Sequence, residues 1–475
     1  MNDDDLNMLK DMVGPNSVHT SGADRAPYEA AARYGTGQSA AVVRPSTLDQ
    51  LSAVVGFAVN RGIRIQPQSG NTGLVKGSVP DETGRALIVS LDRLRAPLAI
   101  DAENRTVEAA GGMRLSEVND ASAAHDLCLP IDLGADPMVG GMVSTNTGGA
   151  RFIRYGGMRS RVLALTVVLP DPQGTVLRLG TGLRKDNSQM DLKQLFVGSS
   201  GALGIVASAT LELARRPCQT TAALIVPQSP DAAVPLLRLA EERLGDFLSA
   251  FEGMSKEALS AAFAHVPGLR NPFAGGSVPE YAVLIELSTV LPTDLLDLEA
   301  LLQDALMEIC DRDNSPVVDA LFGDQIQLWR VRHALSEGLR ALGSVHGFDL
   351  SFHRSHVFAF REAARAMVQE RYPECRVCDF GHIGDGGLHF NIVAPPGWPI
   401  SHGAQLHDDV VRMAVEQFGG SFSGEHGIGR ANQHDYDQFT PQPIQDYSGR
   451  VTDAFTTVQV GGARFGLPQS FISLS

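Results

Sequence analysis

The sequence predicts a soluble α+β protein of two or three domains, and three observations carry that reading. The chain has 475 residues, 43% hydrophobic and 20% charged, an ordinary globular profile with enough apolar material for more than one core. Its first part alternates short strands and helices with loops unusually rich in glycine. After Arg215-Arg216-Pro217, a natural boundary, glycine thins out and strand patterns alternate with longer helical ones, as in an antiparallel sheet covered by helices.

Charge and cysteine content narrow the function classes. A net charge of −15 argues against nucleic acid or an anionic membrane as partner, while leaving room for an anionic substrate at a locally basic site. The acidic start, MNDDDLNMLKDMVG, has neither the basic nor the apolar region of a secretory signal, and no apolar run approaches the ~20 residues of a membrane span. Five cysteines, an odd number, suggest free thiols in a reducing cytoplasm. Cys375-x-x-Cys378 invites a zinc or redox reading, but no second such pair accompanies it. It also falls in a strand pattern, RVCDF, where positions three apart face opposite sides.

Residues 1–25 read as a helical or loose leader. Residues 41–45 form a strand stopped by Pro45, and Thr47 with Gln50 makes a capping box for a helix with an apolar stripe of Leu48, Leu51, Val54, Val55 and Ala58. A strand at 63–65 leads into the loop 67–78, PQSGNTGLVKGS. Its glycines and small hydroxyl residues expose consecutive backbone amides that can form a phosphate nest, although it is neither a Walker loop nor a GxGxxG turn. Strands at 86–90 and 105–110 and a helix at 115–125 precede a second loop, 131–149, in which paired glycines recur through 156/157 every eight residues. Such density brings backbone against something flat or phosphorylated. Residues 162–169 and 176–179 read as a hairpin, and GSSGALGIV opens a further strand through about 213. Beyond the boundary, strands are expected at 222–226, 247–253, 281–288 and 348–352. Helices are expected at 230–244, 255–264, 293–311, 325–342, 360–371 and 402–417, and residues 434–475 are weakly patterned.

Residues 380–391, FGHIGDGGLHFN, carry the chemistry. His382 and His389 are seven apart, a spacing that would put them on opposite faces of one strand. Asp-Gly and Gly-Gly between them signal a hairpin turn, with the strands at 376–383 and 388–393. Folded there, both imidazoles can enter one space. The later GEHGIG adds Glu425 and His426. Two His and one Glu suffice for a catalytic zinc or similar divalent ion with open positions, and His426 would be a base beside it.

Five motifs in this order, PQSGNTGLVKGSVP, DLGADPMVGGMVSTNTGGARFIRYG, GTGLRKDN with DLKQLFVGSSGALGIV, GHIGDGGLHFN and GEHGIG, resemble the FAD-dependent D-2-hydroxyacid dehydrogenases of the vanillyl-alcohol-oxidase/PCMH flavoprotein superfamily. The resemblance runs from about residue 30 to 430 and implies a PCMH-type two-part FAD-binding domain over 26–215. It further implies an α+β substrate or cap domain with an antiparallel sheet over 216–420, and a C-terminal segment over 421–475 that packs back on both. It implies pyrophosphate binding by Pro67, Gly70, Asn71, Thr72, Gly73, Leu74 and Ser78. The ribityl chain and ring would be lined by Asp132, Leu133, Gly134, Gly140, Gly141, Ser144, Thr145, Gly148, Gly149 and Gly156, with Ile205 and Val206 at the ring or adenine side. His382, His389 and Glu425 fall at the family's metal, Zn²⁺ or Mn²⁺, His426 at its base, and Arg332, Ser336 and Asn391 at its substrate. The pyrophosphate loop has no histidine, so FAD is expected to be non-covalent.

The implied reaction oxidises a D-2-hydroxy acid, D-2-hydroxyglutarate ahead of D-lactate or D-malate, with the α-hydrogen passing to flavin. Electrons would continue to an electron-transfer flavoprotein, a quinone or a cytochrome, and a homodimer is expected. Four departures stand out: Gly347 replaces a lysine that dicarboxylate-specific relatives carry, GDGG replaces GDGN with little expected effect, GSSG replaces GSEG, and the ending VGGARFGLPQS replaces Asn-Pro-Gly-Lys. With Gly347 there, a second carboxylate is gripped by Arg330, by Arg354, or not at all. Another flavin chemistry on the same fold, or a non-catalytic FAD subunit of a larger dehydrogenase, are the competing readings.

Overall fold

Thr47 caps the helix Leu48–Asn60 by accepting from the Gln50 amide at 3.2 Å, and the Gln50 side chain reaches back to the Ser46 amide at 2.8 Å. The buried face of that helix, Leu51, Val54, Val55 and Ala58, enters a core it shares with two sheets. In the first sheet the strands run in the order Val18–His19, Ser39–Val43, Ala86–Ser90, Ile65–Gln68, the last three parallel. The second is antiparallel, in the order Leu98–Asp101, Thr106–Ala110, Ile205–Glu212, Val162–Val168, Val176–Leu179. The helix Asp3–Val13 belongs to the same core through Leu9 and Val13, and so does Val460 near the other end of the chain.

The computed structural model describes residues 1–33, 35–456 and 458–466. Met1–Gly148, Gly157–Arg216 and Glu425–Ser475 form one unit, and Gly149–Gly156 with Pro217–Gly424 form the other. The second unit is built on an eight-stranded antiparallel sheet. Its path is Val317–Phe322, Gln219–Pro227, Tyr281–Thr289, Leu248–Ser255, Phe380–Gly381, Gly387–Ala394, Ser344–Ser351, with Arg376–Val377 pairing beside Gly387–Ala394. The central strands are buried on both faces, hence their near-continuous apolar runs. Helices Lys256–His265 and Gln325–Leu342 pack on one face over Leu224, Met254 and Leu284. Among the described residues no helix is long and apolar enough to cross a membrane.

The structure departs from the sequence expectations in five places. The strand expected at 63–65 lies at Ile65–Gln68, because an edge position lets Pro67 stay in a ladder it cannot donate to. Residues 139–145 of the glycine loop are helical. The edge strand Val317–Phe322, with Val318 and Phe322 exposed, lacks the buried alternation that marks a strand in sequence. Residues 376–383 do not run as one strand but break at Cys378-Asp379, where the Asp379 side chain turns to the buried Arg361 at 2.7 Å. Two helices, Gln433–Phe439 and Gln442–Phe455, occupy the weakly patterned end. Of the atypical ending at 460–470, residues 467–470 lie outside the described residues.

Gly338 marks how closely the two covering helices meet. A Cβ there would stand 2.6 Å from the Ala262 Cα and N, a contact that backbone cannot yield cheaply. Gly338→Ala is therefore expected to destabilise the second unit by about 1–3 kcal/mol, read as an earlier denaturation midpoint.

Candidate active site

In the first unit the turn at Gly111 and the helical stretch Val139–Thr145 meet the strand Ile205–Glu212 backbone to backbone, with the loop 67–78 close by. Gly140 N donates to Gly111 O at 2.9 Å and Gly111 N to Ala207 O at 2.7 Å. A Cβ on Gly140 would lie 3.0 Å from both Ser69 Oγ and Val206 O, and one on Gly70 would lie 3.1 Å from Met138 N. Of the residues expected to hold FAD, this brings together Gly70, Gly140, Gly141 and Val206. The side chains of Ile205 and Val206 are buried in the core, so what they offer the loops is backbone. Ser144 and Thr145 return their hydroxyls to Gly140 O and Gly141 O at 2.7 and 3.0 Å, while Gly134 and Gly73 stand in open space. Gly149 and Gly156 belong to the second unit, so the loop 132–149 changes unit at Gly148.

The loop after Ile65–Gln68 is braced from behind. Gln66 and Gln68, both buried, donate through Nε2 to Gly77 O at 2.9 Å and Ser78 O at 3.0 Å. Ser78 Oγ donates to Asn71 Oδ1 at 2.7 Å. Ala431 N donates to Val75 O, and Arg430 donates to Val79 O and Pro80 O. These bonds to the carbonyls of Val75, Gly77 and Ser78 hold the loop in place. Among the described residues, the N–H groups of Gly70, Asn71, Thr72 and Gly73 donate to no backbone carbonyl. Consecutive unspent amides with a left-handed Asn71 (φ 52°) fit a pyrophosphate. The two glutamines were not singled out in the sequence, although two glutamines alternating in a short strand before a glycine loop are a readable signal.

In the second unit, the turn at residues 382–387 closes with Gly387 N donating to His382 O at 3.0 Å. It brings the two imidazoles together, Nε2 to Nε2 at 3.3 Å. His382 Nδ1 lies 2.7 Å from Glu252 Oε1, and His389 Nδ1 lies 3.7 Å from Asp349 Oδ1 on the neighbouring strand. Each ring thus has a carboxylate behind it and its other nitrogen toward the second ring. Two nitrogens bound to one near-tetrahedral ion at about 2.0–2.1 Å stand roughly 3.3–3.4 Å apart, so the pair fits a shared metal. Glu425 follows Gly424, whose N donates to Asp349 O at 3.0 Å, and His426 follows Glu425.

Arg332 is buried, its Nε donates to Glu252 Oε2 at 2.8 Å, and its guanidinium lies 4.8 Å from the Phe380 ring centroid. Asn391 is buried and donates Nδ2–H to His389 O at 3.1 Å, whereas Ser336, one turn beyond Arg332, is exposed. Arg354 is paired with Glu241 at 2.7 Å, and Arg330 donates to Pro267 O at 3.2 Å. Glu252 itself was overlooked in the sequence. Its signal is a lone acid inside the apolar strand LSAFEGMS. Burial pushes its pKa up, but His382 and Arg332 outweigh that and hold it below the usual carboxylate range.

Residues 39–180 match a family model described as FAD binding domain, and residues 216–443 match one described as FAD linked oxidases, C-terminal domain. Among solved structures, p-cresol methylhydroxylase with substrate bound is similar with a TM-score of 0.72 at 13% identity over 95% of this chain and 94% of that one. The 4-ethylphenol oxidase from Gulosibacter chungangensis is similar with a TM-score of 0.71 at 16% identity, over the same shares. The fold is thus that of the PCMH-type FAD-dependent oxidoreductases.

The sequence relatives narrow the class. "D-2-hydroxyglutarate dehydrogenase" of Xanthomonas citri pv. viticola is 33% identical over 84% of this chain and 82% of its own. "D-2-hydroxyglutarate dehydrogenase, mitochondrial" of Rattus norvegicus is 33% identical over 83% and 71%. "Probable D-2-hydroxyglutarate dehydrogenase, mitochondrial" of Oryza sativa subsp. indica is 32% identical over 90% and 75%. The chain belongs to this family of FAD-dependent D-2-hydroxyacid dehydrogenases.

Two predictions follow from the site. Gly140→Val, which fills the narrowest part of the loop crossing, is expected to weaken FAD binding by about tenfold or more, ~1.4 kcal/mol, in a flavin-fluorescence titration. Burial pushes the Cys378 thiol up to about 12 and the Cys375 thiol to about 11. Both stay protonated at pH 8. A thiol reagent should then label the exposed Cys218 and Cys310 in the native protein and reach Cys375 and Cys378 only in denaturant, as read by peptide mapping.

Proposed function

We propose that this protein oxidises a D-2-hydroxy acid to the 2-oxo acid, with D-2-hydroxyglutarate favoured over D-lactate and D-malate. The observation that carries the proposal is the facing of His382 and His389, Nε2 to Nε2 at 3.3 Å, in a chain of this family. Non-covalent FAD, when bound, supplies the acceptor for the hydride that leaves the α-carbon. His382, His389 and Glu425 would hold a divalent ion, Zn²⁺ or Mn²⁺, which would supply Lewis acidity at the substrate hydroxyl.

The chain's own residues do the rest. The amides of Gly70, Asn71, Thr72 and Gly73, flanked by Pro67, Leu74 and Ser78, hold the pyrophosphate. Residues of the loop 132–149 and Gly156 line the flavin. His426 takes the hydroxyl proton, a step worth about 10²–10⁴ in rate. Arg332 has committed Nε to Glu252, which leaves its two Nη groups for a bidentate grip on a substrate carboxylate. Ser336 and Asn391 flank the substrate. Electrons then pass to an electron-transfer flavoprotein, a quinone or a cytochrome, from an enzyme that works as a homodimer.

The test is anaerobic bleaching of the bound flavin by D-2-hydroxyglutarate, D-lactate, D-malate and their L-enantiomers, with and without chelator. Fast, D-specific, chelator-sensitive bleaching, strongest with D-2-hydroxyglutarate, is expected. Bleaching by none of the acids would overturn the reading. His426→Ala should keep FAD bound and lose bleaching by ~10²-fold or more, and retained bleaching would remove His426 as the base.

A further inference from the structure

Strand Leu248–Ser255 places one charged side chain, Glu252, where water cannot reach it. A carboxylate oxygen buried without a donor is costly, and Glu252 leaves neither of its own in that state: Oε1 meets His382 Nδ1 at 2.7 Å, Oε2 meets Arg332 Nε at 2.8 Å. An ionised carboxylate only accepts, so the Nδ1 it meets carries the proton. That leaves His382 Nε2, the nitrogen facing His389, as the one with a lone pair. On the other side, Arg332 is held in its plane by that Nε bond and by the Phe380 ring at 4.8 Å. The same carboxylate therefore sets a ring tautomer and a guanidinium direction.

We propose that Glu252 is a positioning residue which couples the metal-ligating form of His382 to the carboxylate-gripping form of Arg332. This rests on the metal and substrate reading given above. The coupling is stereochemical. A glutamine at this position has one accepting oxygen and one donating nitrogen. If the oxygen keeps Arg332, the amide donates to His382 Nδ1 and drives the ring proton to Nε2, the nitrogen the metal needs; if the oxygen keeps His382, Arg332 loses its acceptor.

The test is made on the FAD-loaded protein without substrate, measuring Zn²⁺ and Mn²⁺ affinity by chelator competition. Glu252→Gln is expected to weaken metal binding about 10–100-fold and also to raise KM for the 2-hydroxy acid. Arg332→Gln, which leaves the Glu252–His382 bond intact, should raise KM while metal affinity stays within about threefold, less than ~0.7 kcal/mol. Wild-type metal affinity in Glu252→Gln would overturn the proposal. His382→Ala separates the two levels: if it too binds metal like the wild type, the metal reading fails. If it loses the metal while Glu252→Gln does not, only the role of Glu252 fails. Should Glu252→Gln not fold, ring ¹⁵N spectra of the metal-free wild type decide, with His382 assigned by its disappearance in the alanine variant. Protonation on Nδ1 is expected, and a ring protonated on Nε2 overturns the proposal.

Discussion

A carboxylate leaves water only if its charge is answered where it goes, and the second unit is organised around three acids that have left it completely. Glu252, Glu286 and Asp379 are each 0% exposed, on or beside neighbouring strands. Each is answered by an arginine from another element: Arg332 from the helix Gln325–Leu342, Arg151 from the segment Gly149–Gly156, and Arg361 from the helix Val357–Arg371. Removing one member of such a pair strands the other, which costs roughly 3–5 kcal/mol, so each pair fixes one element to the sheet at a defined place. Only Glu252 has an imidazole as second partner, and only there does the anchor reach the proposed chemistry.

Glu286 shows the same device used without that reach. Its two oxygens take a bidentate Arg151 at 2.9 and 3.0 Å, the Ser249 hydroxyl at 2.7 Å and the Trp329 indole N–H at 2.8 Å. Arg154, three residues after Arg151, donates to Ser288 O and Oγ. The segment Gly149–Gly156 is thereby fastened to the strand Tyr281–Thr289. Glycine sits at both ends of that stretch, where the chain passes from one unit to the other.

Much of the architecture was readable because it follows from local rules. The helix Leu48–Asn60 announces itself by its cap and stripe, and the helix Gln325–Leu342 by its uninterrupted length. The facing of His382 and His389 could be deduced from Asp-Gly-Gly turn chemistry alone. What stayed hidden was set by distant partners. Asp379 breaks a strand because Arg361 is buried beneath it, and no local signal announces that. Val317–Phe322 is a strand because Gln219–Pro227 offers an edge, not because its own residues alternate in burial. Glu252 carries its meaning through two residues, Arg332 and His382, far from it in sequence. The roles expected of the glycine loops came from the resemblance to a family, because their composition alone leaves them open between surface turn and nest.

The first sheet of the first unit holds a connection between far-separated parts of the chain. Ile65, at the start of the strand that leads into the glycine loop 67–78, pairs in parallel with Val460, and Gly461 N donates to Ile65 O at 2.9 Å. Arg430 and Ala431 back the same loop. A chain emerging from the ribosome at about 5–20 residues per second can complete every contact of the second unit before residue 430 appears. The loop at 67–78, made early, gets its backing last. During synthesis the nucleotide-handling unit of this protein is thus the unfinished one, and its maturation waits on residues 430–461, more than 350 positions after the loop they brace.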